Sequence, residues 1–176
     1  VYDTLFSSDD KLEPRPQMVE SWTMSEDRRA YSFTLRDGLR FHDGSPVTTR
    51  DVIASLQRWG KRDGAGRELF AQTQGLEAVD ARTFTWRLSA PYGLLLDTLA
   101  KSGTSVPFIM REKEALVDPF QQIQEAVGSG PFAFKRDEWV PGSKTVYVRF
   151  ADYVPRKEPP SGHAGGKVAK VDRVEF

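Results

Sequence analysis

Between Tyr31 and Trp59 the spacing of apolar residues changes from a period of two to a helical period, and this change limits what the chain can fold into. Tyr31, Phe33 and Leu35 alternate with Ser32 and Thr34, the pattern of a half-buried strand. Asp37-Gly38 follows as a turn signal, because glycine accepts the positive φ that tight turns require. Leu39 and Phe41 continue the alternation, and Asp43-Gly44 turns the chain again. Val52, Ile53, Leu56 and Trp59 then share one helical face. Thr48 is placed to cap that helix, Asp51 sits in its first turn, and Gly60 reads as its stop.

The remaining chain repeats these two patterns in short pieces. Residues 1 to 22 read as irregular, since Pro14 and Pro16 interrupt regular elements. Lys61 to Gly66 reads as a polar loop and Arg67 to Gln72 as a short helix. Strands are expected at Leu76 to Val79 and Phe84 to Leu88, and a helix over Tyr92 to Ala100 with Pro91 at its first turn. Arg111 to Leu116 is a further short helix. Gly128 to Pro131 reads as a hinge or tight crossing that feeds a strand from Phe132 to Lys135. Pro141-Gly142 turns that strand into another over Thr145 to Phe150. Pro155 to Gly166 is Pro/Gly-rich and is expected to be extended or mobile; Lys170 to Phe176 is a last strand. The strands fall in antiparallel pairs instead of alternating with helices, so the predicted class is α+β with mixed or antiparallel strands and a few short helices.

Composition removes several functions. Acidic and basic residues balance at 25 each, so no general field draws nucleic acid or an anionic membrane surface. The absence of cysteine excludes a disulfide framework, a thiolate metal site and a cysteine nucleophile. No segment approaches the roughly 20 apolar residues needed to cross a bilayer. The sequence opens on Val1 without a basic, apolar leader or an initiator Met, which suggests a fragment or a processed product. His42 and His163 are the two histidines, far apart in sequence, whereas a metal site needs three or four convergent ligands. No metal and no cofactor is expected. Gly128-Ser129-Gly130-Pro131 matches neither a nucleophile elbow nor a dinucleotide loop.

Several ordered motifs then carry a resemblance. Tyr31 to Val47 matches the pattern Y-x-F-x-L-R-x-G-x-x-F-H-D-G-x-P-V almost position for position. Glu20 to Asp27 resembles E-S-W-x-x-S-x-D, with Arg28 where glycine commonly follows. Val79-Asp80, Thr83 and Leu88 match a hairpin motif, Gly128 to Phe132 resembles G-T-G-P-F/Y, and Trp139 to Gly142 resembles W-x-P-G. Arg149 to Tyr153 follows R-N-x-x-Y-W, with departures at Phe150 and Val154. Together these resemble the family 5 solute-binding proteins of ABC importers, the receptors for peptides, dipeptides and nickel.

The resemblance implies a fragment of one lobe of a periplasmic-binding-protein type II-like fold. Residues 1–129 would be the smaller subdomain of lobe one and 130–176 the start of its sheet subdomain, with the second lobe absent. It further implies a monomeric, periplasmic or extracytoplasmic receptor that takes a peptide or similar solute to ABC permease membrane subunits. Arg67 or Glu68 would approach the ligand cleft, or else form a solvated surface pair. Ser105, Phe108 and Met110 would line the cleft as an adaptable wall, or else belong to the core. A hydrolase and an interaction domain with an open sheet edge are the alternatives.

Overall fold

The computed structural model describes residues 1–103 and 105–176. The chain starts with short strands, β1 (Asp3–Thr4), β2 (Phe6–Ser8) and β3 (Pro14–Pro16), followed by the longer β4 (Val19–Met24) and β5 (Ala30–Leu35). Two helices come next, α1 (Thr49–Arg62) and α2 (Gly64–Ala71), then the hairpin of β6 (Thr73–Ala78) and β7 (Thr83–Leu88). Helix α3 (Leu95–Ala100), β8 (Phe108–Ile109), α4 (Glu112–Ala115), β9 (Phe132–Phe134), β10 (Val146–Arg149) and β11 (Arg173–Glu175) complete the order.

The centre is an antiparallel sheet in the order β4-β5-β7-β6. The period-two alternation decides which of its faces is buried. Tyr31, Phe33 and Leu35 of β5 and Phe84, Trp86 and Leu88 of β7 all point into the core. Phe33 lies opposite Phe84 in the ladder with ring centroids 5.1 Å apart, so the strand register is also an aromatic stack. Helix α1 covers this face through Val52, Leu56 and Trp59. A second antiparallel sheet, β11-β10-β9, follows the glycine joint at 128–130.

Asp51 anchors the helical layer. Its Oδ2 accepts from the backbone N–H (2.8 Å) and hydroxyl (2.7 Å) of Thr48, which fixes the start of α1. Its Oδ1 accepts from the N–H of Glu112 at 2.8 Å, so one buried carboxylate also holds the first turn of α4. Helix α1 does not stop at Gly60 and 61–66 is not a loop; the break falls at Asp63, which is extended (φ −93°, ψ 142°). Asp63 ends α1, and its side chain accepts from Gly66 N–H to cap α2. It also receives Lys101 Nζ at 2.7 Å. Burial opposes its ionisation, but those bonds outweigh burial and hold its carboxyl below the usual range.

Gly60 is inside the helix because a Cβ there would enter the Phe70 ring of α2. Alanine normally stabilises a helix interior over glycine by about 1 kcal/mol. Gly60→Ala is therefore expected to reverse that sign and destabilise by roughly 1–2 kcal/mol through overpacking. Thermal melts of Gly60→Ala and of Gly60→Ala/Phe70→Leu test this; only the second should recover the helical preference.

Three further expectations are corrected. Residues 1–22 are not irregular: β1 pairs with β8, and β2 pairs with the proline-bearing β3, a two-stranded ladder in which missing N–H donors are tolerated. The leucine-rich helix begins at Leu95, not Tyr92, leaving Leu94 exposed. Residues 155–166 form an ordered strap: His163 N–H donates to the Ser8 carbonyl (2.9 Å), and Arg156 donates to the Val19 carbonyl (2.8 Å). Gly162, in the left-handed region at φ 54°, presses on the backbone of Asp9, an approach that a side chain would block.

Candidate functional site

The end of α1 and the segment running into β8 enclose a groove of about 250 Å³. Ser55 fixes one wall, its hydroxyl donating to the Met110 carbonyl (3.0 Å) and accepting from the Met110 N–H (2.9 Å). Trp59 fixes the other, its indole N–H donating to the Ser105 carbonyl. Ser105 is held in the left-handed region at φ 55°, a strained setting for a residue with a side chain. Phe108 stands between the walls, 41% exposed, and Met110 is half-buried.

Three of the predicted ligand-wall residues, Ser105, Phe108 and Met110, therefore meet in one groove. Arg67 and Glu68 lie exposed on α2, outside its lining. Arg67 donates to the Arg62 carbonyl at 3.3 Å, and Glu68 accepts from Gln72 at 3.2 Å. Sequence reading missed Arg58, Trp59 and Arg62 as groove residues. Trp59 fits the core stripe, and the usable signal was Arg58 and Arg62 at i,i+4, which places both guanidinia on one helix flank. Phe108 also borders a second cavity of about 240 Å³, where Lys101 and Lys167 meet Tyr2, Thr4 and His163. Both ammonium groups there are matched by buried carboxylates, Lys101 by Asp63 and Lys167 by Asp3 (2.8 Å).

His42 and His163 do not converge. The His42 ring is locked into the glycine joint, with Gly128 N–H donating to Nδ1 (3.2 Å) and Nε2 lying 2.9 Å from the Gly130 carbonyl. Nδ1 is thus the acceptor and Nε2–H the donor, the neutral form. The His42 N–H adds a bond to the Gly128 carbonyl at 2.8 Å, and Phe150 meets the ring edge-on. Burial pushes the imidazole below its ordinary value of 6.5. Sign follows from linkage: the unfolded chain takes up a proton that the folded chain refuses. Stability from His42 is complete above pH 6.5 and falls as pH drops from 6.5 to the lowered folded value. Urea midpoints from pH 7.5 to 5 should show this fall in the wild-type chain and lose its histidine component in His42→Asn. Among the described residues, no group of three or more His, Asp or Glu side chains is placed to hold a metal ion, and no helix is long and apolar enough to cross a membrane.

A four-stranded antiparallel sheet under short helices, joined by a glycine crossing to a second sheet, is the architecture of periplasmic-binding-protein type II-like proteins, mixed α/β with few helices. A solved structure of the binding protein AgaA in complex with agropinic acid, from A. tumefaciens R10, superposes with TM-score 0.73 and 28% identity over 100% of this chain and 33% of that one. The family model described as bacterial extracellular solute-binding proteins, family 5 Middle, matches residues 13–176, and the chain belongs to that family. It is 48% identical over 174 residues to a probable peptide ABC transporter periplasmic-binding protein, y4tO, of Sinorhizobium fredii, covering 99% of this chain and 32% of that protein. It is 35% identical over 133 residues to the probable D,D-dipeptide-binding periplasmic protein DdpA of Escherichia coli K12, covering 74% of this chain and 25% of the relative. The chain thus spans a quarter to a third of the length of these curated relatives.

Proposed function

We propose that this chain is part of lobe one of the substrate-binding receptor of an ABC importer for peptides, acting outside the cytoplasm as a monomer that presents its solute to permease membrane subunits. The observation that carries this reading is the unbroken family match over 13–176, which includes both walls of the groove. The peptide class rests on the names of the relatives y4tO and DdpA. Residues 1–129 form the smaller subdomain and 130–176 the start of the sheet subdomain, with the second lobe lying outside these residues. Ser105, Phe108 and Met110 form the ligand wall, with Arg67 and Glu68 at its rim.

In this reading the solute is captured between two lobes, and the difference in its affinity for open and closed forms drives closure. No catalytic step belongs to it. Calorimetry with di- and tripeptides on the complete protein should show binding, whereas the 176-residue chain alone should bind weakly or not at all. Micromolar binding by the isolated chain would overturn the two-lobe reading. Failure of the complete protein to bind any peptide would overturn the peptide class.

A further inference from the structure

The two cavities flanking Phe108 differ in their electrostatics. In the second, each lysine already faces a buried carboxylate. Among the described residues, the groove at the end of α1 has two guanidinia and no carboxylate in its lining. Arg58 is buried and donates only to backbone carbonyls, those of Val117, Asp118 (3.0 Å), Pro119 (3.4 Å) and Gln121 (2.8 Å). Arg62 donates one Nη1 bond, to the Pro119 carbonyl at 2.9 Å. Carbonyl dipoles satisfy donors but do not cancel charge. Asp118, outside the lining, offsets part of the Arg58 charge, while among the described residues Arg62 has no acid partner, so the positive charge at this end of the groove sits on Arg62. Burial, with the like charge of Arg62 behind it, pushes the Arg58 guanidinium below its ordinary value, against the opposing pull of the Asp118 carboxylate. Next to this charge the walls are apolar, made by Trp59, Phe108 and Met110.

We propose that this groove binds the carboxylate of a small anion with an apolar body, the carboxylate resting on Arg62 and the body held between Trp59, Phe108 and Met110. Arg58 acts as a positioning residue: it has no donors left on its terminal nitrogens, and it fixes residues 117–121 along the groove edge. Arg62 has donors beyond its one carbonyl bond, and its exposure puts them within reach of solute. Apolar body and charged end then meet different walls, so an amide analogue of the same shape loses the charge interaction alone. This assignment names the ligand class of the wall proposed above and rests on that reading.

The test uses the complete protein with indole-labelled tryptophan and two probes, N-acetyl-phenylalanine and its amide. The carboxylate should shift the Trp59 indole N–H resonance saturably, and at least about tenfold more tightly than the amide, the equivalent of one charge-assisted hydrogen bond. Arg62→Gln should erase the difference between the probes, with the melting temperature kept, and Arg62→Lys should retain part of it. A silent Trp59, equal affinity for both probes in the wild-type protein, or an undiminished difference in Arg62→Gln would each overturn the proposal. Peptide binding by the complete protein beside a silent Trp59 would reject the groove and leave the receptor reading in place. A responding Trp59 in a protein that binds no peptide would do the reverse.

Discussion

Arg111→Met is expected to destabilise the fold by roughly 3–5 kcal/mol, the range for stripping the counter-ion from buried charges. The Arg111 guanidinium is 10% exposed and pairs with Glu114 (2.6 Å), Asp43 (2.6 Å) and Glu125 (2.5 Å). Glu114 is equally buried, so most of the loss arises there, whereas Glu125 is 57% exposed and solvent screens it. Glu125→Gln should therefore cost far less than Arg111→Met. Urea melts at pH 7 separate the two substitutions; equal small effects would show the cluster to be ornamental. An acid arm adds a second check. Burial opposes ionisation of Asp43, but its bonds to Ser45 and Arg111 outweigh that and bring its pKa to about 2. A carboxyl lowered in the fold contributes stability above its ordinary 3.8 and loses it as pH falls from there to about 2. Arg111→Met should flatten that stretch of the stability curve.

Gly128→Ala should cost about 3 kcal/mol, at the upper end of overpacking losses. Its Cβ would sit on the Val1 carbonyl, closer than the 3.0 Å that real Cβ contacts keep. The joint has no direction in which to yield. Gly130 N–H donates to Val1 O at 2.7 Å, while His42 bonds both the N–H and the carbonyl of Gly128 from the other side. Gly93→Ala is the control, because nothing lies within 4 Å of a Cβ there. Its change should stay within about 0.5 kcal/mol. Matching melts for the two alanines would mean that the crossing is loosely packed.

What could be read beforehand was whatever the local pattern decides. The buried faces of β5 and β7 follow from alternation, and the start of α1 follows from Thr48 and Asp51. Gly60 was misread because its reason is tertiary: the Phe70 ring, ten residues on, occupies the place of a side chain. Asp63 looked like loop composition because one residue closes one helix and opens the next. The strap at 155–166 is ordered by partners near the other end of the chain, Ser8 and Val19, which no window of sequence contains. The groove divided in the same way. Ser105, Phe108 and Met110 came from resemblance, while the arginines beside Trp59 became meaningful only with the carbonyls they hold and the carboxylates their lining lacks.

The pairing of β1 with β8 brings Asp3 against Ile109 and Thr4 against Phe108. During synthesis β1 waits for β8 until roughly a hundred more residues have left the ribosome. Loop-closure entropy makes that ladder one of the last to form. The wall that carries Phe108 is then assembled late, after the local hairpins and helices around it have formed.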